Sequence, residues 1–148
     1  MKYFVYYSAT GNGDFLADRM KEKGYQPVKV EMVKPLGKMT FFKIFRYGGK
    51  AMLGKKAKIK DINLELKKDD EVVIGSPIWN DRLSTPINAV LAKFNFNKEI
   101  TSFILYPAGS EGLKAKKQLQ KRGFKKSPIV YTWPLKNQDK AHEVLKDF

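Results

Sequence analysis

The chain has 148 residues, with 29 lysines and arginines against 15 acidic residues, which gives a formal net charge of +14. Hydrophobic residues make up 43% and aromatic residues 13%, enough for a real core and too many for a disordered chain. Cysteine is absent, which excludes disulfides, thiolate chemistry and thiolate-bound metals. The apolar start is too short for a signal peptide, and no stretch reaches the roughly 18 apolar residues of a membrane span. We therefore expect a soluble, cytoplasmic protein of one domain.

Five apolar segments, rich in β-branched and aromatic residues and bounded by turn residues, predict strands. The first and third are continuous apolar runs, which is typical of strands buried on both faces of a parallel sheet. The predicted strands are Lys2–Tyr7, Gln26–Val33, Glu71–Ser76, Glu99–Pro107 and Ser127–Trp133.

Helical patterns fall between these strands. Ser84 or Thr85 is suited to cap a helix that has Pro86 at its first position, and glycines follow the ends of two other helices. The alternation of strands and helices predicts an α/β fold with helices on both faces of a parallel sheet. The predicted helices are Asp14–Lys23, a segment that begins at Ser84 or Thr85, Leu113–Arg122, and a last helix from Asn137.

Positive charge concentrates in two blocks without acids. Residues 34–60 hold nine basic side chains and residues 114–126 hold seven. Such fields attract anionic partners, although a solvated surface that keeps the protein in solution is the plainer interpretation. The first block also mixes large apolar residues with glycines, and it predicts a broken helix that covers the sheet.

The turn after the first strand, within YYSATGNGDFL (Tyr6–Leu16), combines hydroxyls with glycines. In a parallel α/β sheet the ligand lies beyond the carboxyl ends of the strands. A helix N-terminus at that place presents unpaired N–H groups and the positive end of its dipole. Glycines let the backbone curl around an anion, and Ser8 and Thr10 can donate hydrogen bonds. The pattern predicts a phosphate site at Ser8–Gly13, with an ordinary polar-capped turn as the alternative.

Two other phosphate motifs fit this turn less well. The segment GNGDFL has the first two glycines of the dinucleotide fingerprint, and Glu31 lies near the expected ribose-binding acid, but Leu16 replaces the third glycine. The nucleoside-triphosphate loop G-x-x-x-x-G-K-[ST] does not occur. The pattern S-x-T-G-N instead combines hydroxyls with amides and suits a terminal phosphate monoester.

The segments YYSATGNG and VVIGSPIWNDRLSTPI together resemble flavodoxin-like proteins, and the order of strands and helices matches along nearly all 148 residues. The resemblance implies one flavodoxin-like domain over residues 1–148, an α/β fold with a doubly wound five-stranded parallel sheet in the order 2-1-3-4-5 and three α/β/α layers. It also implies FMN as cofactor, held by a phosphate loop, a loop beside the isoalloxazine and a loop at the pyrimidine end. The implied cofactor-binding residues are Ser8, Thr10, Gly11, Asn12 and Gly13; Ser76, Pro77, Ile78, Trp79 and Asn80; and Ala108, Gly109, Ser110 and Gly112.

Some of the implied site residues follow the family pattern and others depart from it. Family members often have a further hydroxyl in place of Gly13, so one phosphate hydrogen bond is missing here. The Trp79 indole is suited to make broad apolar contact with a flat ring system such as isoalloxazine. The alternative is that Trp79 only packs in the core or at its rim. Asn80 replaces a glycine whose peptide flips when flavin N5 gains a proton, and asparagine tolerates positive φ. The third loop, Tyr106–Gly112, is also compatible with plain helix capping.

The implied function is electron transfer by FMN, for which the protein supplies binding and electrostatics and needs no catalytic side chain. With one histidine, His142, and no cysteine, we expect no metal site. Unlike the common acidic carriers, this chain is basic. Positive charge favours an anionic reduced flavin, so we expect a less reducing flavin and an acidic redox partner, or a small redox acceptor.

Two alternatives stay open. An NAD(P)H-dependent flavin or quinone reductase has the same fold, and the basic segment Lys34–Lys60 is suited to a second phosphate. A nucleic-acid-binding domain fits the charge, but no helix-turn-helix, zinc-finger or RNP motif supports it. The sequence predicts neither the redox partner nor the oligomeric state.

Overall fold

The computed structural model describes residues 1–35 and 55–148, and in them a central sheet carries helices on both faces. Two 3₁₀ turns, Pro134–Lys136 and Gln138–Lys140, precede the last helix. The strands are β1 Lys2–Tyr6, β2 Gln26–Lys29, β3 Glu71–Trp79, β4 Arg82–Leu83, β5 Ser102–Tyr106 and β6 Ile129–Val130, and the helices are α1 Asn12–Glu22, α2 Thr85–Lys93, α3 Leu113–Lys121 and α4 Ala141–Val144.

The sheet has the predicted topology. Five strands are parallel in the order β2-β1-β3-β5-β6, and the short β4 pairs antiparallel with the end of β3. Without that hairpin strand the order is 2-1-3-4-5, so the predicted doubly wound sheet is confirmed. Val5 of β1 pairs with Val28 on one side and with Ile74 on the other. The winding therefore reverses at β1 and β3, the place where ligands bind in such sheets.

Apolar side chains cover both faces of the sheet. On one face, Val5 and Ile74 pack in a cluster that includes side chains of α2 and α3. On the other face, Phe4 and Tyr106 pack in a cluster with side chains of α1 and α4. Because β1, β3 and β5 are covered on both sides, they read as continuous apolar runs in the sequence. The three-layer arrangement is as predicted.

The prediction that the third strand ends at Ser76 is wrong. β3 continues to Trp79, because β4 turns back and pairs with it, Ile78 opposite Leu83 and Trp79 opposite Arg82. The two residues of the connecting turn, Asn80 and Asp81, have φ values of 50° and 61°. Positive φ at both central residues is the geometry of the commonest two-residue hairpin turn, which asparagine and aspartate tolerate. The predicted second loop is therefore a hairpin.

The prediction of one continuous last helix from Asn137 is also wrong, because the segment begins with the 3₁₀ turn Gln138–Lys140. Only Ala141–Val144 is α-helical. The side-chain amide of Asn137 donates to the carbonyls of Thr132 and Trp133, and the main-chain carbonyl of Asn137 accepts from the Tyr131 hydroxyl. These local bonds compete with helix formation.

The chain after β2 pairs with the segment that precedes β3. β2 ends at Lys29 and not at Val33 as predicted, and Met32 forms an isolated antiparallel bridge with Ile59. Of the predicted broken helix, residues 36–54 lie outside the described residues. Residues 55–60 are not helical, because the Lys60 N–H donates to the Glu31 carbonyl and Lys58 accepts from the Val33 N–H. Within the described ranges no helix is long and apolar enough to cross a membrane.

Candidate functional site

The three segments predicted to bind a cofactor reach the carboxyl edge of the sheet, although Ser76, Pro77 and Ile78 are buried within β3. The first loop follows β1, the hairpin ends β3, and the third loop follows β5. Main-chain hydrogen bonds connect these loops: the Tyr7 N–H donates to the Gly75 carbonyl, and the Trp133 N–H donates to the Pro107 carbonyl, both at 3.3 Å. The segment after β6 thus joins the same edge.

The phosphate loop, Ser8–Gly13, is organised by the Ser8 hydroxyl. Its oxygen accepts hydrogen bonds from the N–H groups of Gly13, at 3.1 Å, and Asp14, at 3.3 Å. These are donors of the first turn of α1, which its N-cap Gly11 cannot satisfy with a side chain. An oxygen atom therefore lies in front of the helix N-terminus, and the Ser8 O–H can rotate to donate outward.

A buried tyrosine supports this loop from below. The Tyr106 hydroxyl donates to the Tyr7 carbonyl. A Cβ added to Gly13 would lie 2.8 Å from that hydroxyl, 2.8 Å from the Tyr7 carbonyl oxygen and 2.9 Å from Ser8 Cβ. Glycine is therefore required at this position, and the space of a side-chain hydroxyl at residue 13 is occupied by Tyr106. Burial raises the pKa of Tyr106 well above its usual range, so the phenol is a neutral donor.

The outer side of the loop contacts the chain after β6. The Asn12 amide donates to the Thr10 hydroxyl at 3.1 Å, and its carbonyl oxygen accepts from the Leu135 N–H at 3.0 Å. Thr10 itself is exposed, whereas Asn12 is buried. Gly11 has a φ of 92° and packs against Leu135, to whose Cδ1 an added Cβ would come within 3.1 Å. Asn12 thus holds the loop to a second element while Thr10 faces solvent.

The five residues predicted for the second loop have different environments. Ser76, Pro77 and Ile78 are buried in β3, and the Ser76 hydroxyl lies 3.1 Å from that of Ser84. Trp79 is half-buried and meets the Tyr7 ring edge-on, with centroids 5.8 Å apart and an interplanar angle of 88°. The tip is exposed at Asn80. Trp79 therefore lies at the rim of the core, beside the phosphate loop.

The hairpin is fastened to the third loop by Asp81. Its carboxylate accepts from the Lys114 N–H at 3.1 Å and its carbonyl accepts from the Ala115 N–H at 2.9 Å. Asp81 therefore satisfies donors at the N-terminus of α3, where a carboxylate is favoured by the helix dipole. The hairpin and the start of α3 thus form one unit.

The third loop has two glycines with positive φ, Gly109 at 112° and Gly112 at 66°. Ala108 and Gly109 are exposed, Ser110 is half-buried, and Gly112 is buried next to Leu105 and Ile78. Gly109, at φ 112°, has nothing near the position of a Cβ. The loop therefore faces the same edge as Trp79, with its main chain at the surface.

Several charged side chains lie near this edge. The acid beside the phosphate loop, Asp14, pairs with Lys29 at 2.7 Å and accepts from the Tyr6 hydroxyl at 3.1 Å. Burial and Asp14 raise the pKa of Tyr6. Lys136 lies 4.3 Å from the centroid of the Trp133 ring, on the segment that contacts the loop. Within residues 1–35 and 55–148, no group of three metal-binding side chains is found, and His142 lies in α4.

Four contributors to this edge are not predicted by the sequence pattern: the Tyr106 hydroxyl, Asp81, Trp133 and Leu135. The topology offered one signal, because the fifth parallel strand must also end at the ligand edge. Trp133 immediately follows that strand. The roles of Tyr106 and Asp81 depend on contacts between loops far apart in sequence, for which the sequence carries no local pattern.

Comparison with known proteins locates the fold. No protein-family model and no curated protein matches the chain. Among solved structures, a flavoprotein from Lactobacillus acidophilus NCFM in complex with FMN is 19% identical, with a TM-score of 0.67 over 93% of this chain and 96% of that chain. Two proteins assigned as flavoproteins are each 17% identical: one from Bacteroides eggerthii DSM 20697, with a TM-score of 0.68 over 99% and 96% of the two chains, and one from Bacteroides uniformis ATCC 8492, with 0.65 over 98% and 97%.

These likenesses extend over nearly the whole chain. At such low identity they show a shared fold, and the flavodoxin-like fold that the sequence indicated is confirmed. They do not carry the site residues across, since fold alone does not specify function.

Proposed function

We propose that this chain binds FMN at the carboxyl edge of its sheet and transfers electrons through it. The observation that carries the proposal is the glycine cradle at the N-terminus of α1. There the N–H groups of Gly13 and Asp14 already donate to the Ser8 oxygen, and Gly13 admits no side chain. A phosphate would then take the remaining N–H of the first turn, that of Asn12, together with the outward Ser8 O–H. Backbone donors, a hydroxyl and a helix dipole are the donor set that suits a phosphate monoester. The FMN complex of the Lactobacillus protein of the same fold supports the choice of ligand.

Trp79 and the third loop are suited to the rest of the cofactor. The indole is half-buried next to Tyr7, at the end of the strand that neighbours the phosphate loop. An aromatic side chain in this position offers apolar contact to a flat ring. The main-chain N–H groups of Gly109 and Ser110 would be donors for a polar ring edge. Phosphate loop, hairpin and third loop would then each hold one part of FMN.

Bound FMN would supply the redox chemistry, and the chain itself would bind, orient and shield it. Two carboxylates near the loops already have structural partners: Asp14 pairs with Lys29, and Asp81 caps α3. The third loop also carries Glu111, which is exposed. The choice between an electron carrier and a reductase therefore depends on the reaction with NADPH described below.

The basic surface is suited to an acidic redox partner. With a net charge of +14, the protein would attract anions and stabilise a negatively charged reduced flavin. We expect the bound flavin to be less reducing than that of acidic carriers, with a potential that falls as salt screens the lysines. A strongly reducing potential that is insensitive to salt would contradict this part of the proposal.

The test is titration of FMN with the apoprotein, followed by flavin fluorescence. We expect saturable quenching by the wild type and none by Thr10→Asp, because a carboxylate beside the helix N-terminus repels the phosphate. Thr10 is exposed, so the substitution leaves the core intact. Thr10→Asn is the matched control, with the same shape and no charge, and we expect it to retain binding. Equal binding by the Asp and Asn variants would place the site elsewhere.

Anaerobic mixing with NADPH separates carrier from reductase. A carrier loaded with FMN keeps its visible flavin absorption when NADPH is added alone. Rapid bleaching of that band would favour the NAD(P)H-dependent reductase of the same fold. The two results are read on the same sample, so the choice does not depend on identifying the physiological partner.

A further inference from the structure

A second concave surface lies between the chain that leaves β2 and the start of α2. We call it the lysine cavity. It measures about 480 Å³, within the range of small-molecule sites. Its lining consists of Met32, Val33, Lys34, Lys55, Lys56, Ala57, Lys58 and Thr85.

Two elements that belong to different parts of the fold form its walls. Residues 55–58 are fixed at one end to α2, where the Ala57 N–H donates to the Thr85 carbonyl at 3.1 Å and the Asn88 amide donates to the Lys55 carbonyl at 3.2 Å. At the other end the Val33 N–H donates to the Lys58 carbonyl at 2.9 Å. The cavity is thus held open between the start of α2 and the chain that leaves β2.

Thr85 carries a hydroxyl that the fold leaves unsatisfied. The residue is 2% exposed, and its Oγ1 is a buried side-chain atom that has no hydrogen-bond partner among the described residues. A buried hydroxyl without a partner is energetically unfavourable, so such groups need an explanation. Thr85 is also the first residue of α2, a helix of nine residues whose N-cap Ser84 makes no side-chain cap bond. An unpaired hydroxyl and an uncapped helix N-terminus therefore meet at one wall of the cavity.

The charge of the lining has one sign. Lys34, Lys55, Lys56 and Lys58 contribute four positive charges, and the described part of the lining contains no acid. Among the described residues, no carboxylate forms an ion pair with any of these four, while nearby Lys60 is paired with Glu31. The first turn of α2 likewise has no acid. Like charges held together without counter-charges are destabilising, and a bound anion removes that cost.

We propose that the lysine cavity binds the phosphate groups of a small phosphorylated ligand, with Thr85 as hydroxyl donor and the four lysines as counter-charges. The volume exceeds that of a single phosphate, and Met32, Val33 and Ala57 give it an apolar side, so a diphosphate with an attached organic group fits it. The proposal does not depend on FMN binding, because it uses none of the residues of the phosphate loop.

The test is calorimetric titration at physiological salt with inorganic pyrophosphate, ADP and adenosine. We expect pyrophosphate and ADP to bind saturably and adenosine not to bind. Tighter binding of ADP than of pyrophosphate identifies an organic phosphate as the ligand class, and equal binding identifies a free diphosphate; both support the site. No saturable binding by either would overturn the proposal.

Thr85→Val tests the hydroxyl without endangering the fold. Because valine has the same shape and removes an unsatisfied polar atom, we expect the melting temperature to stay the same or rise. We expect affinity for pyrophosphate to fall roughly tenfold, the usual scale of one hydrogen bond to a charged group. Unchanged affinity in this variant would overturn the assignment of Thr85.

Two charge variants separate a local site from general attraction. Lys55→Gln/Lys58→Gln removes two lysines of the cavity, and Lys125→Gln/Lys126→Gln removes the same charge from the exposed second basic block. We expect only the first pair to weaken pyrophosphate binding. Equal losses would show diffuse attraction and overturn the site. The Thr10→Asp variant should bind pyrophosphate like the wild type; loss of binding there would assign the anion to the phosphate loop and overturn the proposal without affecting the FMN proposal.

Discussion

The phosphate loop and the lysine cavity are two candidate anion sites that differ in construction. The loop is made of main-chain N–H groups and one serine, packed so closely that Gly13 has no space for a side chain. The cavity is made of four lysines and one threonine around an open volume of about 480 Å³. As proposed, one fold would recognise anions in two ways: through fixed dipoles at a helix end, and through flexible charged side chains on a surface.

The difference has a physical consequence. A site of fixed main-chain donors depends on shape, because its donors cannot move to accommodate a change. A site of lysines depends on charge, because each ammonium group lies on a flexible stem and is screened by salt. Substitutions that alter shape should therefore affect the phosphate loop, and changes of salt should affect the cavity.

The largest effect is expected from Gly13→Ala. Alanine normally stabilises a helix by about 1 kcal/mol relative to glycine. Here the new methyl group would meet the Tyr7 carbonyl oxygen at 2.8 Å and Ser8 Cβ at 2.9 Å. We expect destabilisation by about 1–3 kcal/mol, the usual cost of overpacking, together with loss of FMN binding. Thermal unfolding and FMN titration measure the two effects.

Gly24→Ala is the matched control for that substitution. Gly24 follows α1 with φ 85°, and nothing lies within 4 Å of an added Cβ. It should lose about 1 kcal/mol through its left-handed backbone alone, with FMN and pyrophosphate binding unchanged. If Gly13→Ala were no worse than this control, the tight cradle would be disproved.

The next effect is expected from Tyr106→Phe. The substitution removes the hydrogen bond to the Tyr7 carbonyl below the loop, and we expect a loss of about 1 kcal/mol near neutral pH. The pKa of Tyr106 is raised in the folded state, so the stability that its neutral form contributes is present below about pH 10 and is lost as the pH rises further. The wild type should therefore lose stability more steeply above that pH than the variant. If the free energy of unfolding fell equally with pH in the wild type and in Tyr106→Phe, the Tyr106 hydroxyl would not be the group that stabilises the loop.

A smaller difference is expected in how strongly salt weakens ligand affinity at the two sites. Raising ionic strength shortens the screening length from about 10 Å at 0.1 M to about 3 Å at 1 M. We expect pyrophosphate binding in the lysine cavity to weaken more steeply than FMN binding at the loop, when both are titrated across this range. The same salt dependence for both ligands would show that the loop, too, works through lysines.

The smallest effect is expected at Asn80 of the hairpin. Asn80 has a φ of 50°, a conformation in which glycine is unstrained and asparagine nearly so. Asn80→Gly should change stability by less than about 0.5 kcal/mol, whereas Asn80→Ala should cost about 1 kcal/mol. Chemical denaturation of both variants measures the difference. Equal stability of the two would indicate that the turn is not held in this conformation.

Much of the fold was predictable from sequence, because the buried strands carry long apolar runs and the helices carry clear end signals. Glu71–Ile74 and Ser102–Tyr106 are examples in which the pattern alone specifies a buried parallel strand. The hairpin was not predictable in this way. Pairing of Ile78 with Leu83 is a tertiary choice, and the turn residues Asn80 and Asp81 also suit an irregular loop.

The candidate site was predictable only in part. Ser8 and the glycines follow a strand and precede a helix, so their place at the ligand edge follows from topology. The burial of each side chain does not follow from topology, because Ser76 and Pro77 are buried in β3 and do not face the edge. Nor did the composition reveal that the Thr85 hydroxyl has no hydrogen-bond partner in the described part of the chain, since this depends on how residues 55–57 pack against α2.

The most direct measurement of the central claim compares FMN with riboflavin, which has the same ring system and lacks the phosphate. Both are titrated with the wild-type protein under the same conditions. If the N-terminus of α1 and the Ser8 hydroxyl hold the phosphate, FMN binds at least about tenfold more tightly, which is about 1.4 kcal/mol. Equal affinity for the two flavins would contradict the account.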